Sequence, residues 1–512
     1  MEVESNSADL ANRTVQGVSW SGLSQAITQG FTWIISIVLA RLLGPSAYGL
    51  IGMVGVFTSF AILFGGLGFG VAIVQRKNLE ERHLSTAFWM NLATGALITL
   101  LMVGFAPVIA RFYHEPLLVP ITRIIALRFL FDSLDVVQSA LLRRQMRFRA
   151  LGAIQIGSGI LSGVVALAMA LGGMGIWSLV ALTLGLAFFP LPLLWYCTRW
   201  RPSLSFDWAA GRELFGFSAP LVGLDVLTYW ARSLDTLLIG RFLGAWALGI
   251  YSRAFSLMLM PLTQVSSVVG NVMIPALSSI QEDKPRVKRS YLKAVRLVGL
   301  ITFPMMVGIF VTADHLILAL LGPKWAEVVP ILRIMCWVGL LQSIGRWDWI
   351  CISQGATGLY FKIGVTAATA YAAAFIVGLR WGITGMATAY LICHLAICYP
   401  TWAAAGRIIN LSFQAMVRTV SPLLVCALSM GVIVFTLRRL LPPALPIWGH
   451  LAAEIMAGVS VYFSLLIGFR LKAWEEGRLA LAEMVDGKLE ALKDVLSRPR
   501  PAALRRVAGK TL

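Results

Sequence analysis

Apolar residues in this chain run nearly uninterrupted for about 20 positions at a time, the length a helix needs to cross the hydrocarbon core of a bilayer. A helix of that kind satisfies its own backbone hydrogen bonds, which lipid cannot do for it. Between polar, glycine or proline breaks, fourteen such stretches are read: 17–40, 47–70, 85–110, 117–138, 150–171, 175–197, 214–239, 246–270, 294–319, 328–351, 357–379, 383–405, 416–437 and 447–469. The connections are short, so no soluble domain is inserted between them. The pattern predicts an all-α polytopic membrane protein of about 14 transmembrane helices.

The breaks are charged unevenly. Sixteen Lys and Arg residues follow even-numbered stretches, among them Arg143, Arg144, Arg147, Arg149, Lys284 and Lys288, against seven after odd-numbered ones. Basic loops stay on the cytoplasmic side, so both termini are expected in the cytoplasm. Beyond the last stretch, Leu481, Val485, Leu489, Leu492 and Leu496 recur at near-helical spacing with Lys488 and Lys493 between them. That predicts an amphipathic helix on the inner membrane surface, followed by a basic tail.

Composition narrows the class. Only 13% of the 512 residues are charged and 58% are hydrophobic, against about 25% charged in soluble proteins. A soluble multidomain enzyme is excluded, because its surface could not be kept wet. The net charge of +19 follows from topology and gives no reason to expect nucleic acid as a partner. The six cysteines form no CxxC, so neither a metal site nor a disulfide framework is expected. There is no GxxxxGK[ST] loop, HExxH or GxSxG elbow, and no large outer loop with paired Arg or carboxylates such as a polymerase or membrane glycosyltransferase would need. A non-enzymatic transporter is the expectation.

A repeat lies within the apolar pattern. Leu39-Ala-Arg-Leu-Leu-Gly-Pro-Ser-Ala-Tyr-Gly aligns with Ile239-Gly-Arg-Phe-Leu-Gly-Ala-Trp-Ala-Leu-Gly at an offset of 200, matching Arg41 with Arg241, Gly44 with Gly244 and Gly49 with Gly249. Each copy sits between the first and second stretches of a six-stretch set. An even number of helices per copy gives parallel repeats related by an axis along the membrane normal, as in alternating-access transporters. The expected organisation is an N-lobe over 1–205, a C-lobe over 206–408, an extra helix pair over 409–470 and the tail over 471–512. The hinge arginines are placed to reach membrane-lipid headgroups on the outer face.

Ile37-Val-Leu-Ala-Arg41-Leu-Leu-Gly44-Pro-Ser-Ala-Tyr48-Gly49, and Tyr229-Trp-Ala-Arg232-Ser-Leu-Asp235 running on through Arg241 and Gly249 to Tyr251, resemble the helix signatures of bacterial polysaccharide flippases. The likeness is to the Wzx-type, colanic-acid-exporter-like group within the multidrug/oligosaccharidyl-lipid/polysaccharide (MOP) exporter superfamily, over roughly residues 10–430. It implies translocation of undecaprenyl-diphosphate-linked oligosaccharide units across the bacterial inner membrane, for exopolysaccharide or O-antigen synthesis. It also implies a polysaccharide polymerase and co-polymerase as partners. Two neighbouring readings stay open, a cation-coupled multidrug exporter of the same superfamily and a lipid II flippase.

Charges inside the apolar stretches point to the site, because an ionisable residue at mid-bilayer costs at least about 2.5–3.5 kcal/mol. The fourth stretch carries Arg128, Asp132 and Asp135, one face of a helix; the seventh carries Asp225, Arg232 and Asp235. A diphosphate in a low-dielectric cleft needs cationic partners, and Arg offers a bidentate fork. Arg232 is the first candidate for a cationic central cavity, with Arg41, Arg241 and Arg253 behind it and Tyr229 and Gln29 as neutral hydrogen-bonding groups. Asp225, Asp235, Asp132 and Asp135 are read as orienting arginines or carrying a coupling ion. No cofactor is expected; proton and sodium coupling both stay open. An Arg128–Asp132 pair that merely neutralises itself is an equal reading for the fourth stretch.

Overall fold

The computed structural model describes residues 20–65 (apart from 21, 23 and 26), 69–76, 79–470, 474–476 and 478, without the side chains of 71, 209–228, 231 and 232. The tail helix expected over 481–496 lies outside these residues. The described chain is helical: α1 Ile27–Leu42, then α2 Pro45–Gly65, α3 Phe69–Gln75, α4 Glu81–Tyr113, α5 Leu118–Arg144, α6 Phe148–Leu171, α7 Ile176–Phe188, α8 Pro190–Thr198, α9 Trp208–Ser279, α10 Lys284–Leu320, α11 Val328–Ile344, α12 Trp347–Ser353, α13 Thr357–Gly378, α14 Gly382–Gly406, α15 Phe413–Leu440 and α16 Ile447–Gly468. No strand occurs among the described residues.

Over their described residues, the fourteen predicted stretches fall mainly on helix. Among the described residues ten helical segments are long and apolar enough to cross a membrane. Thr357–Ile409 contains two predicted stretches, 357–379 and 383–405, whereas Ser233–Ser279 contains 246–270 and only the end of 214–239. In α9 the division comes at Gly244, which adopts φ 85°, ψ 178° between two helical arms. Only glycine enters that region without strain. Gly44, its counterpart in the first copy, has no positive φ; Pro45 follows it and holds the preceding residue in the extended region. Glycines also head α7 and α14 in matching fashion. Gly175 (φ 53°) precedes Ile176 and Gly382 (φ 68°) precedes Ile383, so a second hinge is shared by the repeats.

One compact unit comprises residues 1–259, 313–338 and 361–397. Its core includes Phe69, Ile73, Phe88, Val137 and Leu141, where α3, α4 and α5 meet. The connection 199–207 is tied to the start of α4: Trp89 Nε1 donates to the Ser203 carbonyl at 2.8 Å, the Asp207 amide to Thr86 Oγ1 at 3.0 Å and Trp200 Nε1 to Glu81 Oε1 at 2.9 Å. The other unit comprises 260–312, 339–360 and 398–512. Trp349, Trp402 and Tyr291 are fully buried in it, and Glu454 of α16 is buried facing Arg438 of α15 at 3.9 Å.

The repeated glycines are explained within the first unit. A Cβ built on Gly49 would stand 1.6 Å from the Ala245 carbonyl oxygen, and one on Gly249 would stand 2.0 Å from the Pro45 carbonyl oxygen. Pro45 and Ala245 are equivalent positions of the two copies. The first turns of α2 and of the second arm of α9 therefore cross backbone on backbone, each glycine receiving the other copy's carbonyl. Small residues permit such approach between membrane helices, and the contact is reciprocal as a twofold relation requires.

Gly49→Ala or Gly249→Ala should lower the detergent melting temperature and the monodisperse yield, with a destabilisation at or above the about 1–3 kcal/mol typical of overpacking. Gly55→Ala, on the same helix with open space at its Cβ, should leave both near wild type; equal melting of all three would contradict the crossing.

Candidate functional site

The crossing fixes what lies one turn beyond it. Tyr48 precedes Gly49 on α2, and Arg253 follows Gly249 by one turn on α9. The Arg253 guanidinium lies over the Tyr48 ring, 4.0 Å from its centroid. Its Nη1 and Nη2 donate to Ser36 Oγ of α1 at 3.0 and 3.1 Å, while the Tyr48 hydroxyl donates to the Ser36 carbonyl at 3.1 Å. Trp325 completes the group: fully buried, edge-on to Tyr48 at 5.5 Å, its Nε1 donating to the Ala40 carbonyl at 2.8 Å. Arg253 Nε is buried with no hydrogen-bond partner. No carboxylate lies at ion-pair distance from Arg253 among the described residues; the charged form is held by an aromatic face and one hydroxyl. Stacking over tyrosine stabilises a guanidinium by about 0.5–2 kcal/mol, but leaves its positive charge uncompensated.

The turn that carries Trp325 repeats the hinge chemistry. Leu320-Leu-Gly322-Pro323 echoes Leu42-Leu-Gly44-Pro45, and Gly322 has φ 88°, ψ 177°, nearly the values of Gly244. Its Lys324 Nζ reaches the Leu42 carbonyl at 3.4 Å. Ser36, Tyr48 and Trp325 were not singled out by sequence reasoning; the echoed Leu-Leu-Gly-Pro is the signal that could have drawn Trp325 to the hinge.

The remaining sequence candidates occupy separate places. The side chains of Arg232 and Asp225 lie outside the described residues. Arg41 is exposed beside Gly322. Arg241 hydrogen-bonds the His114 ring and lies 5.6 Å from Phe112 and 5.7 Å from Phe242. The Tyr229 hydroxyl donates to the Val56 carbonyl, and its ring meets Phe60. Gln29 is exposed on α1. Asp235 is buried, accepting from the Tyr251 hydroxyl at 3.2 Å and from the Thr236 amide at 2.6 Å, so a phenol rather than an arginine holds it among the described residues. Asp132 pairs with Arg128 at 3.0 Å, both half-exposed, while Asp135 keeps a buried Oδ1 without a hydrogen-bond partner. Among the described residues no group of His, Cys, Asp and Glu is arranged to hold a metal.

Comparison with known proteins agrees with this architecture. A family model described as polysaccharide biosynthesis protein matches residues 38–330. The teichuronic acid biosynthesis protein TuaB of Bacillus subtilis is 28% identical over 475 residues, spanning 90% of this chain and 96% of that protein. The lipopolysaccharide biosynthesis protein WzxC of Escherichia coli is 26% identical over 75% of this chain and 79% of its own length. The succinoglycan biosynthesis transport protein ExoT of Rhizobium meliloti is 28% identical over 64% and 66%. Among solved structures, the lipid II flippase MurJ in an inward closed conformation superposes with a TM-score of 0.69 at 13% identity, covering 88% of this chain and 98% of that one. At that identity the likeness concerns the fold.

The Arg128–Asp132 pair gives a clean test. Removing one partner leaves a lone charge among apolar helices, whereas removing both does not. The double variant Arg128→Ala/Asp132→Ala should reach wild-type membrane levels and each single variant should accumulate less; equal levels in all three would show that the pair carries no coupling.

Proposed function

The chain belongs to the polysaccharide biosynthesis protein family, a multi-pass membrane transporter of that pathway, and on that premise we propose that it flips undecaprenyl-diphosphate-linked oligosaccharide units from the cytoplasmic to the periplasmic leaflet of the bacterial inner membrane. The observation that carries the substrate class is Arg253: a guanidinium with no carboxylate partner among the described residues, deep in a helix whose surroundings are apolar. Counting from Gly244, it stands about 13 Å along its helix at 1.5 Å per residue. Leaving a positive charge there uncompensated costs at least about 2.5–3.5 kcal/mol, and a passing diphosphate supplies what is missing. Two parallel N–H···O contacts to one phosphate also select Arg over Lys.

Energetically the site is suited to transit rather than storage. Ser36 and the Tyr48 face hold the guanidinium in place at rest, and neither neutralises it. An anionic headgroup exchanges a weak neutral partner for a strong ionic one, then leaves as the arrangement changes by alternating access. Arg232 belongs to the same reading as a second cation on α9, and Arg41 and Arg241 as headgroup contacts nearer the hinge. The names of TuaB and WzxC place those proteins in teichuronic acid and lipopolysaccharide biosynthesis; here they support a glycan cargo without specifying the sugar. A polymerase and co-polymerase receiving the flipped unit are the partners this reading entails.

Arg253→Ala should abolish polymer export, and Arg253→Lys should leave less than about a tenth, a loss of roughly 1.4 kcal/mol or more, while membrane levels on immunoblots stay within twofold of wild type. Undecaprenyl-linked intermediates should accumulate in both. Export at the wild-type rate in Arg253→Ala would remove this residue from the translocation path.

A further inference from the structure

One group of titratable side chains has no part in holding an anion. Within α14, His394 Nδ1 lies 2.5 Å from the hydroxyl of Tyr371 on α13, and the two rings stack with centroids 6.0 Å apart. Tyr390, one turn earlier on α14, meets both rings, 5.1 Å from Tyr371 and 6.1 Å from His394. Phe375 closes the apolar side, 5.5 Å from Tyr390. Tyr390 is in turn close enough to Tyr251 of α9 for their phenols to sense one another's charge, and Tyr251 donates to the buried carboxylate of Asp235. Tyr371 on α13 and Tyr390 on α14 are titratable groups in contact with the His394 ring among the described residues, with Tyr251 and Asp235 of α9 beyond Tyr390. No charged side chain among the described residues acts on its ring directly.

Depth makes the cluster unusual. His394 is twelve residues into α14, about 18 Å along the helix, past the middle of a hydrocarbon core roughly 30 Å thick. Ionisable chains at such depth mark ion and proton paths, and histidine alone changes charge near neutral pH without help. We propose that His394 and Tyr371 form a proton-binding site coupled to export, reached through Tyr390, Tyr251 and Asp235. In the neutral tautomer with its hydrogen on Nε2, Nδ1 accepts from the Tyr371 O–H. A proton delivered to Nδ1 turns that bond round: the ring donates to the phenol oxygen, and the Tyr371 hydrogen must find another acceptor. With the Tyr371 and Tyr390 rings against it, the charged ring lacks a counter-charge until water or a carboxylate approaches. Protonation therefore favours an arrangement in which α13 and α14 part at this level, and deprotonation the packed one.

The coupling half of this inference rests on the transport reading; proton binding itself does not. Full-length protein in phosphatidylethanolamine/phosphatidylglycerol vesicles on a solid-supported membrane, given a pH step without substrate, should show a transient charge displacement. His394→Gln should reduce it at least tenfold, and Tyr371→Phe, which keeps the ring, should keep the displacement but shift its pH midpoint by at least half a unit. Undecaprenyl diphosphate binding, read by native mass spectrometry, should stay within threefold of wild type in both. A wild-type displacement in His394→Gln overturns the proposal, as does an unmoved midpoint in Tyr371→Phe or joint loss of displacement and lipid binding in His394→Gln. A displacement that depends on His394 in a wild-type protein that binds no lipid leaves the proton site standing and removes the flippase reading alone.

Discussion

Everything at the candidate site hangs on one constraint, the crossing of two backbones at Gly49 and Gly249. Each glycine sits where a single methyl group would overlap the carbonyl of the opposite repeat. Lipid gives helices no hydrophobic reason to associate, so contact must come from close packing of small residues. Here the closest approach falls at the first turn of α2 and the first turn beyond Gly244. Tyr48 and Arg253 flank it on either helix and are delivered to each other. Were the helices a methyl group further apart, the guanidinium would lose its aromatic face and its reach to Ser36.

That arrangement accounts for how an arginine survives inside an apolar bundle without a carboxylate. Arg128 follows the ordinary solution, an i, i+4 partner on its own helix, and Arg333 of α11 pairs with Asp314 of the preceding helix α10 at 2.8 Å. Among the described residues Arg253 has neutral neighbours, a phenol ring, a hydroxyl and, at 5.9 Å, the Trp325 ring. A pair that neutralises itself stabilises a fold and has nothing left for a ligand. A charge braced by polarisable neutral groups keeps its field, which is what recognition of a diphosphate in a low-dielectric setting requires.

Much of the fold was legible because hydrocarbon imposes a length. The described parts of the apolar stretches fall mainly on helix, and the glycine-bearing repeat proved to be a physical contact between the copies. Arg128 with Asp132 was legible too, since four residues are one turn. The surroundings of Arg253 were not: Ser36, Tyr48 and Trp325 come from three distant segments, and no local spacing unites them. Asp235 was read as orienting an arginine or carrying a coupling ion; its bond to Tyr251, sixteen positions on and across the Gly244 break, has no local spacing to announce it. His394 stayed hidden for a different reason. Tyr371, Phe375, Tyr390 and His394 stand at helical spacing in an apolar background, a pattern that ordinary packing produces equally well.

Flipping requires that a lipid diphosphate cross the bilayer on this protein. Vesicles holding a fluorescent undecaprenyl-diphosphate sugar in both leaflets, exposed to a membrane-impermeant quencher, measure that crossing directly. With the purified protein reconstituted, fluorescence should fall almost completely, well beyond the roughly one half lost from protein-free vesicles, in which only the outer leaflet is exposed. A plateau at one half, from protein shown to be folded and inserted, would contradict flipping.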